Sequence, residues 1–188
     1  MSRILVDQIR SNSASADAMT LDGSGNVTFP ANATCSGTAT GFGGGKILQA
    51  VTATSSTLAT TTTTSYADTG LTASITISAN SKVLVLVSQP CEIKRGPHDS
   101  CMGDIKLLRG STDIFASTNK KFLGYHDTDS DYKAWLTIIN ISYLDTGAST
   151  GSNTYKTQQC VNDANQNARI RTQDDTNPSV MTLLEIGA

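Results

Sequence analysis

The sequence is poor in charged, aromatic and histidine residues. Of its 188 residues, 16% are Asp, Glu, Lys or Arg, 5% are aromatic and 2 are His. Ser, Thr, Asn and Gly take the place of charge, a composition that suits strands with a hydroxyl-rich surface better than long surface helices. The net charge is −2, and no basic run is present. We therefore expect no nucleic-acid partner.

Long hydrophobic runs are also missing. No apolar stretch reaches the roughly 18 residues that a membrane-spanning helix needs, so we expect no membrane insertion. The segment Met1–Asp7 has a short apolar patch that Asp7 interrupts. A secretory signal needs a longer apolar stretch, so we do not expect export by that route.

Sequence motifs of enzymes are absent. The chain contains no G-x-S-x-G, no H-E-x-x-H and no phosphate-binding G-x-x-x-x-G-K-[ST]. Both histidines, His98 and His126, lie in polar segments where we expect them to be solvated. We predict no catalytic residue, no cofactor and no enzyme activity. A polysaccharide depolymerase that uses a pair of carboxylates remains the enzymatic alternative.

The cysteines do not form a recognisable framework. They lie at positions 35, 91, 101 and 160 without a C-x-x-C pair, and we expect small buried hydrophobes or ordinary surface thiols. A Cys91–Cys101 disulfide stays open. A zinc site built from Cys91, Cys101 and His98 would lack a fourth ligand, so we predict no metal there.

An acidic triplet resembles the beginning of a calcium-binding loop. Asp127, Asp129 and Asp131 alternate as in an EF-hand, which then needs Gly at its sixth position and Glu at its twelfth. Tyr132 and Ile138 occupy those positions, so an EF-hand is excluded. An irregular calcium site stays open, and a solvated acidic loop is the simpler interpretation.

A glycine cluster, Gly41-Phe42-Gly43-Gly44-Gly45, divides the chain. Glycine loses much backbone entropy when it is ordered, so residues 41–45 are predicted to form a hinge. Residues 1–40 have too few large apolar side chains to fold alone and are predicted to form an extended arm. Residues 46–188 are predicted to form a folded head.

The arm contains two segments that favour strands. Ser2–Arg10 is apolar on both faces, and Met19–Pro30 reads as two short strands around the turn-rich segment Asp22–Asn26. A lone hairpin is marginal in water, so other chains are expected to order it. The predicted residues for particle attachment or oligomerisation are Ile4, Leu5, Val6, Ile9, Leu21, Val27 and Phe29.

The head reads as an all-β domain. About eight to ten short strands with turns every 8–12 residues predict a β-sandwich or jelly roll. Leu71–Ser78 alternates with Leu71 and Ile75 on its apolar face. Lys82–Gln89 is apolar throughout, which predicts a central strand covered on both sides, and Pro90 is expected to end this strand or to place it at an edge. Lys133–Leu144 is the strongest strand and Ser179–Ile186 the last.

A long polar loop, 119–132, offers contacts to a partner. Its polar and aromatic side chains could meet a sugar or a protein surface. The predicted host-surface-binding residues are Tyr125, His126, Asp127, Asp129 and Asp131.

Several segments resemble a known class of protein. Ala18–Pro30 resembles the N-terminal arms of tailed-phage virion proteins, especially fibres of marine and cyanobacterial phages. The segments 45–49, 81–85, 107–112 and 181–186 are similar to the compact β heads of those proteins. These motifs are of low complexity and extend over most of the chain.

The resemblance implies an arm that attaches to the particle and a homotrimeric head. The partners would be further copies, other virion proteins of the tail or capsid, and a host glycan or surface protein. It implies a location in the virion after assembly in the host cytoplasm. We expect a fibre that binds the host; a capsid decoration or cement protein is the alternative.

Overall fold

A computed structural model describes residues 6–10, 15–29, 47–95, 101–119, 122–125, 133–165 and 167–187. The chain divides into two compact units, Met1–Gly43 and Gly44–Ala188. The division falls within the glycine cluster. Residues 41–45 themselves lie outside the described ranges, so their role as a hinge stays a prediction.

The first unit holds a small antiparallel sheet in the order β1-β2-β3, formed by β1 (Gln8–Ile9), β2 (Met19–Leu21) and β3 (Val27–Thr28). Leu21 pairs with Val27 in register. The Asp22 carboxylate closes the turn between them, because Oδ1 accepts hydrogen bonds of 2.9 Å from the backbone N–H groups of Ser24 and Asn26. A hydrogen bond from the Asn26 side-chain amide, followed by these backbone bonds, holds the Asp22 pKa below its usual range. The predicted hairpin is confirmed.

The second unit is all-β, as predicted, and its described residues contain no α-helix. The described residues of this unit form eleven strands, slightly more than the eight to ten predicted. They are β4 (Ile47–Ser55), β5 (Ala59–Thr61), β6 (Ala67–Ile77), β7 (Lys82–Arg95), β8 (Cys101–Arg109), β9 (Thr112–Phe115), β10 (Leu123–Tyr125), β11 (Lys133–Asp145), β12 (Gly151–Val161), β13 (Arg169–Thr172) and β14 (Ser179–Ile186).

These strands form two antiparallel sheets that pack as a β-sandwich. The five-stranded sheet runs β10-β8-β12-β6, with β9 also on β8, and the six-stranded sheet runs β4-β14-β7-β13-β5, with β11 on the other side of β7. Inward side chains of both sheets form one core. Leu71 and Ile75 come from the first sheet, and Val85 and Leu183 from the second; all are at most 1% exposed. Jelly-roll topology stays a prediction.

Pro90 does not end its strand, so the predicted boundary there is wrong. β7 continues to Arg95 and pairs with β11 throughout. On the side of β7 away from β11, β14 pairs with β7 up to Ser88 and β13 pairs with it from Cys91 onward. Pro90 lies between these two partners, and its carbonyl accepts a hydrogen bond from the Gln173 N–H at 3.4 Å. The N–H that proline lacks would point to the same side of the strand, into this gap, so no bond to β11 is lost.

Gly70 likewise lies inside a strand that was predicted to begin after it. β6 begins at Ala67, and its pairing with β12 shifts register between Lys156 and Gln158. Gly70 has a φ of +82°, which a glycine adopts at little cost and which a β-bulge exploits. The predicted burial of Leu71 and Ile75 in the same strand is confirmed.

A buried ionic network fixes the turn after β11. Both oxygens of Asp145, a residue only 2% exposed, accept from Arg109 Nη1 at 2.6 Å. The Tyr155 hydroxyl donates to Asp145 at 2.8 Å and the Gly147 N–H at 2.9 Å. Burial, followed by the Asp145 carboxylate, raises the Tyr155 pKa, so the phenol remains a proton donor at neutral pH.

Candidate assembly surface

The predicted attachment residues of the first unit leave much apolar surface accessible. Val6 is 43% exposed, Ile9 and Val27 are each 47% exposed, and Phe29 is 44% exposed. Leu21 is half-buried. Ile4 and Leu5 lie outside the described residues. A three-stranded sheet with this much exposed apolar surface gains little from its own packing.

The predicted host-binding residues are largely beyond the described ranges. Tyr125 ends β10, where its backbone pairs with that of Cys101. This strand lies inside the predicted loop 119–132, so that segment is not wholly a loop. The Tyr125 side chain and residues His126, Asp127, Asp129 and Asp131 are outside the description, and their proposed role stays a prediction.

The six-stranded sheet presents a second apolar surface that was not predicted. We call its side away from the core the outer face. On this face Leu86 is 37% exposed, Leu136 67%, Ile138 58% and Leu144 46%. The central strand β7 was predicted to be covered on both sides, and this is wrong within the described chain: Leu84 is half-buried and Leu86 exposed.

Cross-strand register arranges the outer face into two ridges. Leu84 pairs with both Leu144 and Leu184, which makes one apolar row across three strands, the leucine ridge. Pro90 pairs with Ile138, and Leu136 follows on the same face of β11; these three form the isoleucine ridge.

A groove of about 310 Å³ lies on the outer face between these rows. Its outward lining is mainly small or polar: Leu86, Ser88, Asn140, Ser142, Val180 and Thr182. A second hollow of about 290 Å³ adjoins the isoleucine ridge and includes Leu136 and Ile138. The outer face is thus shaped, with apolar ridges beside a groove of small side chains.

The outer face is also electrically neutral at its centre. Residues 83–91, 134–144 and 179–184 include no Asp, Glu, Lys or Arg. Charged residues lie at its rim: Arg169 lies 2.9 Å from Glu92, Arg171 lies 3.3 Å from Asp174, and Lys82 and Lys94 are on the outward side of β7. Depletion of charge with polar groups at the rim is typical of the centre of a protein–protein interface.

The turn beside the isoleucine ridge has an unusual backbone. Gln173, Asp175 and Thr176 all have positive φ, at 57°, 51° and 62°. Such conformations are uncommon outside glycine and are stabilised by their surroundings. Here the buried Gln173 amide donates to Ser179 Oγ at 2.9 Å, and the Asn177 N–H donates to the Asp174 carbonyl.

Titratable side chains gather elsewhere on the sandwich, where they bond one another. The Tyr66 hydroxyl donates to the buried Asp104 carboxylate at 2.5 Å, and Lys106 Nζ lies 4.1 Å above the Tyr66 ring and 2.8 Å from Asp113. Burial raises the Asp104 pKa, against the opposing effect of the Tyr66 hydrogen bond. The arrangement ties β8 to its neighbours.

The described cysteines are buried thiols. Cys91 is 4% and Cys160 0% exposed, and neither is in a disulfide. The Cys91–Cys101 bridge therefore does not form, and burial raises the pKa of the Cys91 thiol to about 12. Among the residues with described positions, no group of three or more His, Cys, Asp or Glu is placed to hold a metal. Nor does that part of the chain contain a helix long and apolar enough to cross a membrane.

Fold and surface together define an all-β protein with a sandwich unit and two accessible apolar surfaces. Neither the protein-family models nor the curated proteins that were compared with the sequence match it.

Proposed function

We propose that the chain is a structural protein of a tailed-phage virion: a fibre whose N-terminal arm attaches to the particle and whose trimeric head binds the host surface. The observation that carries the proposal is the small β1-β2-β3 sheet of the first unit, whose surroundings leave Val6, Ile9, Val27 and Phe29 accessible. Such a sheet needs a partner to bury these side chains. Neighbouring virion proteins and other copies of the chain are the proposed partners.

The head is proposed to present its loops to a host glycan or surface protein. This part of the proposal rests on the sequence, which places polar and aromatic side chains close together at Tyr125, His126, Asp127, Asp129 and Asp131. Three heads on one fibre would bind together, and this valency would compensate for weak contacts at a single loop. The chain is proposed to act without enzyme activity or cofactor, in a virion assembled in the host cytoplasm.

A capsid decoration protein is the second candidate. The same accessible side chains of the first unit would then clamp neighbouring capsid subunits, and the sandwich would stand on the capsid surface. The exposed apolar residues favour attachment to a particle in both cases, so the two candidates differ in location and in host binding.

Particle incorporation tests the proposed arm. Deleting residues 1–40 should abolish incorporation while the head keeps its β-rich circular dichroism spectrum, because the core belongs to residues 44–188. In the full chain, Val27→Asp with Phe29→Asp should reduce incorporation at least about tenfold, since a charge buried in an interface costs more than 1.4 kcal/mol. Thr28→Asp, on the other face of the strand, is the matched control and should load normally.

Loading of the truncated protein at the wild-type level would refute the arm. The fibre and decoration candidates separate in a second assay. A fibre head should bind host cells or a glycan array, whereas a decoration protein should fail to bind and should instead raise the thermal stability of capsids that lack it.

A further inference from the structure

We infer that the outer face of the six-stranded sheet is the surface through which copies of this chain contact one another. The contact places an apolar ridge of one copy in the groove of the next. The inference rests on the proposed function only for the number of copies, three; the surface itself is argued from the head alone.

β11, the edge strand beside this face, indicates that another polypeptide covers this side of the sheet. β11 pairs with β7 over thirteen residues without a register shift, and among the described strands it pairs with β7 alone. Natural sheets protect exposed edges with charges, proline, bulges or short strands. Residues 134–144 contain neither charge nor proline.

Most of the other described edges carry protection that β11 lacks. β5, β9 and β10 have only three, four and three residues. β6 has the bulge at Gly70 and the charged Asp68 on its outer side. β4 has a register shift at one end only, opposite Glu185 and Ile186, and its residues 49–55 contain neither charge nor proline. β11 is the longest unprotected edge among the described strands, and such an edge is an expected sign of an interface.

Neutrality favours a second copy over a charged partner. Two identical faces that carry like charge at their centres would repel each other, whereas this face has no charged residue at its centre. An acidic glycan, a nucleic acid or a membrane headgroup would meet no compensating charge at the centre of the face.

Shape points the same way. The face has both parts of a self-complementary contact: a groove of about 310 Å³ lined largely by small side chains, and ridges of branched aliphatic side chains on either side. When a ridge of each copy enters the groove of the next, the contact is heterologous, and it ends in a closed ring if the rotation between copies closes. A trimer is such a ring.

The size of the face sets the expected strength. From Leu136 to Leu144 the strand rises about 27 Å, and four strands at a spacing of ~4.8 Å add about 15–19 Å of width. This gives roughly 400–500 Å² per copy. In a ring of three each copy divides its face between two contacts, so each contact buries about 400–500 Å² in total, which is below the usual size of a stable interface and typical of a weak one. We therefore expect association that dilution reverses.

The test is the molar mass of the full chain, measured by sedimentation equilibrium from roughly 0.1 to 100 µM. The wild type should form trimers that dissociate on dilution. Leu136→Asp with Ile138→Asp should weaken association at least about 100-fold, because the charges would be buried without partners. The matched control is Ser74→Asp with Thr76→Asp, at the same spacing on the exposed side of β6; it should associate like the wild type.

A groove-filling variant separates this contact from general stickiness. Ser142→Trp adds apolar surface but blocks the groove, so it should weaken association about tenfold or more. Stronger association in this variant would overturn the inference. Should the aspartate pair reduce the β content measured by circular dichroism, Leu136→Thr with Ile138→Thr replaces it, since threonine keeps the strand propensity.

A wild type that stays monomeric over the whole range, or aspartate variants that associate normally, would also overturn the inference. A dimer that the aspartate pair dissociates would support the surface and contradict the trimer of the proposed function. Association through this face by a protein that never enters particles would refute the proposed function and leave the surface standing.

Discussion

The hydroxyl of Tyr155 is a buried donor whose removal has a calculable effect. Tyr155 is 0% exposed and donates to Asp145 at 2.8 Å. Tyr155→Phe deletes this one oxygen and leaves the packing of the ring unchanged. Asp145 keeps its contacts with Arg109 and with the Gly147 N–H, so its charge does not become unpaired.

The expected loss follows from the nature of the acceptor. A hydrogen bond to a charged group contributes about 1.5–3 kcal/mol, and we expect the lower end because the carboxylate retains other donors. For a domain of this size each kcal/mol corresponds to about 2–4 °C in Tm. Tyr155→Phe should therefore lower the free energy of unfolding by about 1.5–2 kcal/mol and Tm by about 5 °C.

Urea denaturation measures this loss, and Trp135 supplies the fluorescence signal because it is the only tryptophan. Both proteins are compared at one concentration, since association adds stability by mass action. Tyr143→Phe is the matched control: Tyr143 is half-buried and its hydroxyl has no hydrogen bond within the described structure. A loss below about 0.5 kcal/mol, or an equal loss in the control, would refute the assignment.

Two further predictions concern the head. Glu185 accepts hydrogen bonds from the Gln49 side chain and from the Ser78 N–H, each at 2.7 Å, and these bonds lower its pKa. The ionised carboxylate therefore stabilises the folded state fully above the ordinary glutamate pKa of about 4.3. This contribution to the free energy of unfolding is lost as the pH falls through the lowered pKa of the folded state. Glu185→Gln should thus cost about 1 kcal/mol at pH 7, and urea titrations should show this gap closing in acid; a gap that widens in acid would contradict it. Gly70→Ala should cost about 1–2 kcal/mol through its positive φ alone, since the nearest atom to an added Cβ, Ser55 Oγ, is 3.6 Å away; a Tm equal to that of the wild type would exclude this strain.

Alternation allowed the regular strands to be predicted closely. Ser179–Ile186 was predicted with the bounds that β14 has, and Leu71 and Ile75 are buried as expected. In these segments the apolar period of two coincides with one buried face, so the sequence alone specifies which side packs.

The prediction at Pro90 was wrong because the sequence shows only that proline lacks a backbone N–H. It does not show whether that N–H would have had a partner strand on its side of β7. The gap between β13 and β14 accommodates that missing donor, and such a gap arises only when distant segments meet. The predicted start of β6 after Gly70 was wrong for a similar reason. From sequence alone, a glycine inside a bulge cannot be distinguished from a glycine that ends a strand.

The outer face could have been found from the sequence. Ser2–Arg10 was interpreted as a partner-binding strand because both of its faces carry apolar residues. Lys133–Leu144 has the same property, with Leu136 and Ile138 opposite Ile139 and Ile141. The predicted host-binding side chains lie outside the described residues, so that hypothesis still depends on the sequence alone.

An electron-microscopy reconstruction of the intact particle tests the central claim most directly. The fibre account predicts density for three sandwich heads projecting from the tail, with residues 1–40 of each copy embedded in neighbouring virion proteins. Heads on the capsid surface would establish the decoration alternative. Particles that lack the chain would contradict a virion role altogether.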